Sequence, residues 1–141
     1  MTKIEWDSSL AVGIDLIDEQ HKMLIEKLSN ISEAIELTRG SSEIAQTLDF
    51  MVEYTDFHFS TEERHMIKYD FPHRDYHIAQ HEEFKKSLDE LVYDFREEGA
   101  TKALGTAIST FLLNWLINHI KGVDVIFGKF LNEKGCVMTE E

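Results

Sequence analysis

In four stretches of this 141-residue chain, residues typical of a protein core recur as a stripe at alternating intervals of three and four positions. This spacing places one stripe along one side of an α-helix, whereas a β-strand alternates apolar and polar residues. No stretch shows that alternation, and Pro72 is the single proline. The pattern predicts an all-α fold in which each of four helices buries one stripe.

Punctuating residues define the expected ends of these helices. The signals are an N-cap at Asp18, a stop at Arg39-Gly40, a break at Asp70-Phe71-Pro72 and a cap at Thr101. The expected segments, beginning at the first stripe residue or the cap, are 14–39, 41–69, 77–98 and 101–119. Because three connections are short, we expect an antiparallel up-down-up-down four-helix bundle.

The rest of the chain is assigned to the two ends of this bundle. The first dozen residues are expected to form an N-terminal arm, with Trp6 packed on the bundle. A short C-terminal helix and a frayed tail are expected after Asp124. We find no internal repeat, low-complexity segment or composition shift, so residues 1–141 are interpreted as a single domain with its core at about 14–131.

Each stripe carries histidine where its periodicity calls for an apolar residue. The stripe histidines are His21, His58, His77, His81 and His119, and Glu62 follows His58 by one turn. One histidine on an apolar face is usually a hydrogen-bonded core residue. Five on four neighbouring helices are different, because each unsatisfied buried group costs on the order of 1–3 kcal/mol. Metal coordination removes that cost, so the pattern predicts a metal site.

Spacing along the helices supports convergence of these side chains. Residues four apart, such as His58 and Glu62 or His77 and His81, lie on one helix face. Asp124 follows His119 by five residues, which on a regular α-helix separates them by about 140°. Asp124 can therefore join the site only if the helix ends or widens into a π-type turn, and we place that change near Gly122.

Two further histidines fall outside the convergent set. His65 lies near the end of the second helix and His73 follows Pro72, so both are interpreted as surface residues or as neighbours of the ligands. His65 does complete one Glu-x-x-His sequence with Glu62. Ferritin-like di-iron proteins use two such Glu-x-x-His repeats, but the stripes of this chain contain no second one.

Charge and composition exclude several classes of partner. The net charge of −13 argues against nucleic acid and anionic membrane surfaces. The longest strongly apolar run, at 111–117, is too short to span a bilayer, and the N-terminus lacks the apolar segment of a signal peptide. The single cysteine, Cys136, cannot form an internal disulfide. These features favour a cytoplasmic protein without membrane insertion, and we expect a monomer.

The number and type of candidate ligands constrain the metal. Five imidazoles and two carboxylates exceed the four ligands of one tetrahedral zinc. They suit two metals with five or six ligands each and bridging carboxylates, and they are too rich in nitrogen for magnesium or calcium. Iron is favoured, and manganese or zinc are the alternatives in a preparation loaded with the wrong metal.

Four motifs together resemble the hemerythrins, and most closely the single-domain bacterial forms. They are IDEQH at 17–21, HFSTEERHM at 58–66, HIAQH at 77–81 and WLINHIKGVD at 115–124. The resemblance covers Trp6 to about Phe130 and shows no departure at a ligand position. It implies a four-helix bundle that binds dioxygen reversibly at two non-haem iron ions (Fe2+/Fe3+) joined by an oxo or hydroxo bridge.

The resemblance also implies a division of the ligands. His77, His81 and His119 would hold one iron, His21 and His58 the other, and Glu62 and Asp124 would bridge them. The second iron would then keep one open position for dioxygen. Trp115, Leu116 and Ile120 would form an apolar wall around it, and the resemblance places Leu116 and Ile120 beside the open position.

Several functions are compatible with such a centre. The first is oxygen storage, transport or delivery, not enzymatic turnover, with an unidentified oxygen-using protein as recipient. The second is an oxygen or redox sensor that acts through a separate partner, and the third is a peroxidase-like or nitric-oxide-handling enzyme. Because a sensor usually carries an output domain and the chain ends shortly after its last apolar segment, binding of oxygen is favoured.

Overall fold

The computed structural model describes residues 6–36, 41–99, 101–136 and 138. This part of the chain is helical, and the first three long helices are α1 (Asp15–Glu36), α2 (Ser41–Lys68) and α3 (Arg74–Glu98). The fourth helix, 102–133, consists of successive segments. These are α4 (Lys102–Ala107), a first π segment (Ile108–Leu112), α5 (Leu113–His119), a second π segment (Ile120–Asp124) and α6 (Val125–Glu133).

The long helices pack in a closed cycle. α1 contacts α2, α2 contacts α3, and the fourth helix contacts both α3 and α1. The stripe residues form the core between them, and examples with no exposed surface are Leu24, Ile31, Ile44, Phe84 and Leu116. This arrangement confirms the predicted four-helix bundle. None of the described helices is long and apolar enough to cross a membrane.

The turn between α2 and α3 shows why the pattern breaks there. Asp70 has φ of 53°, the left-handed conformation that often ends a helix. The backbone N–H of Phe71 donates to the carbonyl of Met66 at 2.8 Å, and that of Asp70 donates to Ile67 at 3.2 Å. These two bonds are those of a Schellman motif. The side chain of Phe71 then returns to the core, with 2% of its surface exposed.

Asp18, which was predicted to be the N-cap of the first helix, instead links the N-terminal arm to the bundle. Asp18 was expected to cap α1, but α1 begins at Asp15 and Asp18 lies within its first turn. The Asp18 carboxylate instead accepts a hydrogen bond from the backbone N–H of Val12 at 2.8 Å. The N-cap assignment is therefore wrong, because an aspartate in the first turn of a helix gives the same sequence signal as one before it.

The N-terminal arm packs against α6. Trp6 is half-buried against the core, as expected. A side chain at Gly128 in α6 would place its Cβ atom 2.4 Å from the Val12 carbonyl oxygen, so glycine permits the arm to cross α6 closely. The expected C-terminal helix is present as α6, but it continues from the second π segment without a break. The expected stop at Arg39-Gly40 lies outside the described residues.

Candidate metal centre

The seven candidate ligands, six from the stripes together with Asp124, meet at the centre of the bundle. Each is at most 2% exposed. Their ligand atoms form two groups, within each of which all atoms lie within 4.8 Å of one another. One group is Glu62, His77, His81, His119 and Asp124, and the other is His21, His58 and Glu62.

Asp124 connects the two groups through its two oxygens. Its Oδ1 lies 2.7 Å from Nε2 of His77 and 3.2 Å from Nε2 of His119. Its Oδ2 lies 2.9 Å from Nε2 of His21, on the opposite side. One carboxylate therefore faces imidazoles from α1, α3 and α5 at once, which is the position that a bridging ligand between two cations occupies.

Glu62 occupies a similar central position on α2. Its Oε1 lies 3.1 Å from Nε2 of His81, 3.7 Å from Nε2 of His58 and 3.8 Å from Nε2 of His77. The residue belongs to both ligand groups. A carboxylate between imidazoles of α2 and α3 thus complements the one from the fourth helix.

The second π segment brings Asp124 into this set. The N–H of Val125 donates to the carbonyl of Ile120, five residues earlier, as a π turn requires. The wider turn places Asp124 on the same side of the helix as His119, although five residues separate them. The predicted widening near Gly122 is confirmed. The first π segment, at Ile108–Leu112, was not predicted, because no pair of polar stripe residues required it.

The arrangement of ligand atoms fits cations better than it fits hydrogen bonds. Among the described residues, no hydrogen-bond partner is found for either oxygen of Glu62, for Nε2 of His21, His81 and His119, or for Oδ2 of Asp124. Several of these atoms are nevertheless within about 3 Å of each other. Metal–ligand bonds of about 2.1 Å at right angles separate neighbouring ligand atoms by about 3.0 Å. The residues therefore suit a pair of coordinated metals.

Comparison with known proteins identifies the family. Residues 12–131 match the family described as Hemerythrin HHE cation binding domain. The chain belongs to the hemerythrin family. It is 33% identical to a bacteriohemerythrin of Stenotrophomonas maltophilia over 88% of this chain and 78% of the relative. It is 35% identical to a hemerythrin-like protein of Naegleria gruberi over 85% of this chain and 87% of that protein.

The fold comparison agrees with this assignment. A crystal structure of wild-type hemerythrin superposes with a TM-score of 0.81 at 26% identity, covering 91% of this chain and 97% of that one. Family, fold and the buried histidine–carboxylate cluster together are consistent with a non-haem di-iron site in an oxygen-binding protein.

In this hemerythrin-type bundle, three of the imidazoles are each oriented by a hydrogen bond to a side chain that is not itself a candidate ligand. Side-chain oxygens lie 2.6–2.9 Å from Nδ1 of each, and the pairs are Gln20 with His58, Glu63 with His81, and Gln80 with His119. An oxygen at that distance accepts the Nδ1 proton, which leaves the Nε2 lone pair free for a metal. Each contact joins two different helices.

These three orienting residues were not among the site residues predicted from the sequence. Gln20 and Gln80 directly precede His21 and His81, and Glu63 directly follows Glu62. The repeated Gln-His pair was a visible signal. It was not interpretable, because each glutamine supports a histidine on another helix rather than its neighbour.

Burial and mutual repulsion control the protonation of the site. Burial, with the nearby Asp124 carboxylate, raises the pKa of Glu62 to about 8. Burial also lowers the pKa of His81 to about 4 and holds the pKa of His58 well below its ordinary value. Burial opposes ionisation of Asp124, but His119 and His21 outweigh it and hold the Asp124 pKa well below its ordinary value. Metal binding at neutral pH therefore requires Glu62 to release its proton.

The expected apolar wall is only partly enclosed. Leu116 and Ile120 are buried, with 0% and 1% of their surface exposed. Trp115 is half-buried, and its ring stacks on that of His119 with centroids 4.7 Å apart and planes inclined by 10°. α5 also packs against α1, the helix that carries His21.

The two histidines outside the ligand set differ from each other. His73 is exposed, as one of the two expected alternatives proposed. His65 is 3% exposed, and its Nδ1 lies 2.6 Å from the carbonyl oxygen of Thr61 one turn earlier. A surface location for His65 is therefore wrong. The imidazole is buried but lies outside both ligand groups.

Proposed function

We propose that this chain binds dioxygen reversibly at a di-iron centre. In this proposal His77, His81 and His119 hold one iron, His21 and His58 hold the other, and Glu62 and Asp124 bridge them. The observation that supports it most directly is the position of Asp124, whose oxygens face His77 and His119 on one side and His21 on the other. With these ligands, the iron held by His21 and His58 would keep one free coordination position. The bridge between the irons would be oxo or hydroxo.

The residues around the centre favour binding over turnover. A ferrous pair, when bound, supplies the electrons that reversible oxygen binding requires. Gln20, Glu63 and Gln80 fix the orientation of three of the five imidazoles, so these three ligands are held in place before metal binds. Leu116 and Ile120 are buried, and in this proposal they exclude water and its protons from the open position.

The cellular role follows from the same proposal. We propose oxygen storage or delivery to an oxygen-using protein, rather than an enzymatic role, because no group in the apolar wall formed by Trp115, Leu116 and Ile120 is a proton donor of suitable pKa. A single cysteine, Cys136, is compatible with the reducing cytoplasm, where we place the protein as a monomer.

The test is the reaction of the iron-loaded, reduced protein with dioxygen. We expect a visible absorption spectrum that develops with oxygen and returns to that of the reduced protein when oxygen is removed. The metal content should be two irons per chain. Irreversible oxidation accompanied by turnover of peroxide or nitric oxide would instead establish an enzyme and overturn the proposal.

A further inference from the structure

The glutamine that supports His119 is itself held by a second side chain, at the surface of the bundle. Nε2 of Gln80 donates a hydrogen bond to the hydroxyl oxygen of Tyr76 at 2.7 Å, while Oε1 of the same amide lies 2.8 Å from Nδ1 of His119. Tyr76 precedes Gln80 by one turn of α3 and is 62% exposed. A continuous series of hydrogen bonds therefore runs from a solvent-exposed phenol to an imidazole of the metal centre.

The three side chains that orient imidazoles are confined in different ways. Gln20 is 2% exposed, so packing confines it, and its Nε2 has no hydrogen-bond partner among the described residues. Glu63 is a carboxylate, which makes a stronger hydrogen bond to an imidazole N–H than a neutral amide does. Gln80 has neither advantage, because it is half-buried and its amide is neutral. The hydrogen bond to Tyr76 supplies the confinement that packing and charge supply to the other two.

We propose that Tyr76 is a positioning residue for the metal centre and acts on His119 through Gln80. A free glutamine side chain samples many rotamers, and those that move Oε1 away leave Nδ1 of His119 without this acceptor. The contact with Tyr76 holds the amide at its nitrogen, so that its oxygen stays at the imidazole. Because hydrogen bonds in series polarise one another, the same contact makes Oε1 of Gln80 a stronger acceptor.

The effect on the metal follows from the role of His119. This inference rests on the proposed function, in which His119 is an iron ligand. An acceptor at Nδ1 leaves Nε2 free for the metal and makes the imidazole a stronger electron donor. Loss of the Tyr76 hydroxyl should therefore weaken iron binding. It should also stabilise the ferric state less, so that the midpoint potential of the iron pair rises.

Tyr76→Phe is the direct test, because it removes the hydroxyl and keeps the ring at an exposed position. In equilibrium competition with a chelator, we expect iron affinity to fall by about 2–10-fold, the usual effect of one hydrogen bond. Gln80→Leu, which removes the acceptor itself, should lower iron affinity by about 10–100-fold. Tyr93→Phe makes the same change at a tyrosine that is 64% exposed, near the other end of α3, and should leave iron affinity and midpoint potential unchanged.

The double variant Tyr76→Phe/Gln80→Leu distinguishes action through Gln80 from any effect on the adjacent His77. If Tyr76 acts through Gln80, the double variant should bind iron as Gln80→Leu does, because the two changes then remove the same interaction. A further fall by the factor seen in Tyr76→Phe alone would overturn the proposal. Wild-type iron affinity in Tyr76→Phe would overturn it as well.

Failure of the proposed function would give a different result. Wild-type protein that holds two irons but does not release oxygen would contradict reversible binding, and the iron affinities of the variants would still decide the role of Tyr76. Wild-type protein that holds no iron would contradict the proposed centre. Titration of the same variants with Co2+, another divalent metal that binds imidazole, would then decide whether Tyr76 acts through Gln80.

Discussion

Gln20 of α1 holds His58 of α2 across the bundle, with Oε1 of the amide 2.6 Å from Nδ1 of the imidazole. Gln20 is 2% exposed, so water cannot replace the contact. Gln20→Leu should therefore lower iron affinity by about 10–100-fold, the usual effect of removing such a partner. Equilibrium competition with a chelator measures this change.

Two variants control for the loss of an amide. Gln46→Leu makes the same change at an exposed position of α2 and should leave iron affinity unchanged. Gln20→Glu retains the oxygen acceptor and should bind iron more tightly than Gln20→Leu. If Gln20→Leu held iron as well as wild type, the contact would have no role in orienting His58.

Removal of one histidine distinguishes ligands from buried bystanders. His77→Ala should lose iron, because Nε2 of His77 faces both Asp124 and Glu62. His65→Ala should keep two irons per chain but lower the free energy of unfolding by roughly 0.5–3 kcal/mol, as expected for a buried side chain. Iron analysis and thermal melting test both. Iron well below two per chain in His65→Ala would show that the ligands are misassigned.

The positions that could be predicted from sequence are those that periodicity controls. Stripe spacing places His58 above Glu62 and His77 above His81 whatever the neighbouring helices do. The π segment at Ile120–Asp124 was predictable because Asp124 could not otherwise reach the face of His119. In each case one helix is enough for the argument.

Features that depend on two helices could not be predicted. The contact of Gln80 with His119 is set by the rotation of α3 relative to α5, which no spacing within one helix reveals. For His65 the sequence left open both a surface position and a position beside the ligands, and spacing within α2 could not decide between them. Asp18 shows a third limit, since a first-turn aspartate can bind its own helix or, as here, the arm before it.

Protonation of Glu62 predicts how the metal-free protein responds to pH. The folded-state pKa of about 8 lies above the ordinary value of 4.5, so the folded state binds more protons than the unfolded state in this window. Burial lowers the pKa of His21, but the neighbouring Asp124 carboxylate outweighs it, so the His21 pKa is also raised in the folded state. Stability of the metal-free protein should therefore fall as pH rises from 6.5 to 8, by roughly 1–2 kcal/mol. Below pH 6.5 the lowered pKa values of His58 and His81 act in the opposite direction.

Calorimetric melting at pH 6.5 and pH 8 tests this expectation. Glu62→Gln, which cannot ionise, should show a smaller decrease in stability over the same pH interval.

The iron-loaded protein should melt at a higher temperature than the metal-free protein at both pH values, because the metals compensate the buried polar atoms. Equal melting temperatures with and without iron at neutral pH would contradict a coordinating role for this cluster.

The buried pair Leu116 and Ile120 predicts control of autoxidation. Ile120→Ala should admit water to the iron pair and accelerate conversion to the ferric form, with little loss of iron, because no ligand is removed. Leu116→Ala should act in the same direction. Ile44→Ala is the matched control, since Ile44 is equally buried but lies more than three turns before His58 on α2. The decay of the oxygenated spectrum measures the rate of autoxidation. Unchanged rates in both Ile120→Ala and Leu116→Ala would mean that other residues form the apolar wall beside the open iron position.

The second π segment supplies the sharpest test of the ligand geometry. Asp124 shares a face with His119 only because the turn is one residue wider than in an α-helix. Exchanging the two residues in Val123→Asp/Asp124→Val keeps the length and composition of the chain, but moves the carboxylate roughly 100° around the helix. We expect fewer than two irons per chain. Gly122→Ala is the control, because a Cβ atom there meets nothing within 4 Å and the widened turn should persist. Two tightly held irons in the exchanged variant would mean that Asp124 is not the bridge, whereas iron loss in Gly122→Ala would show that the turn itself needs glycine.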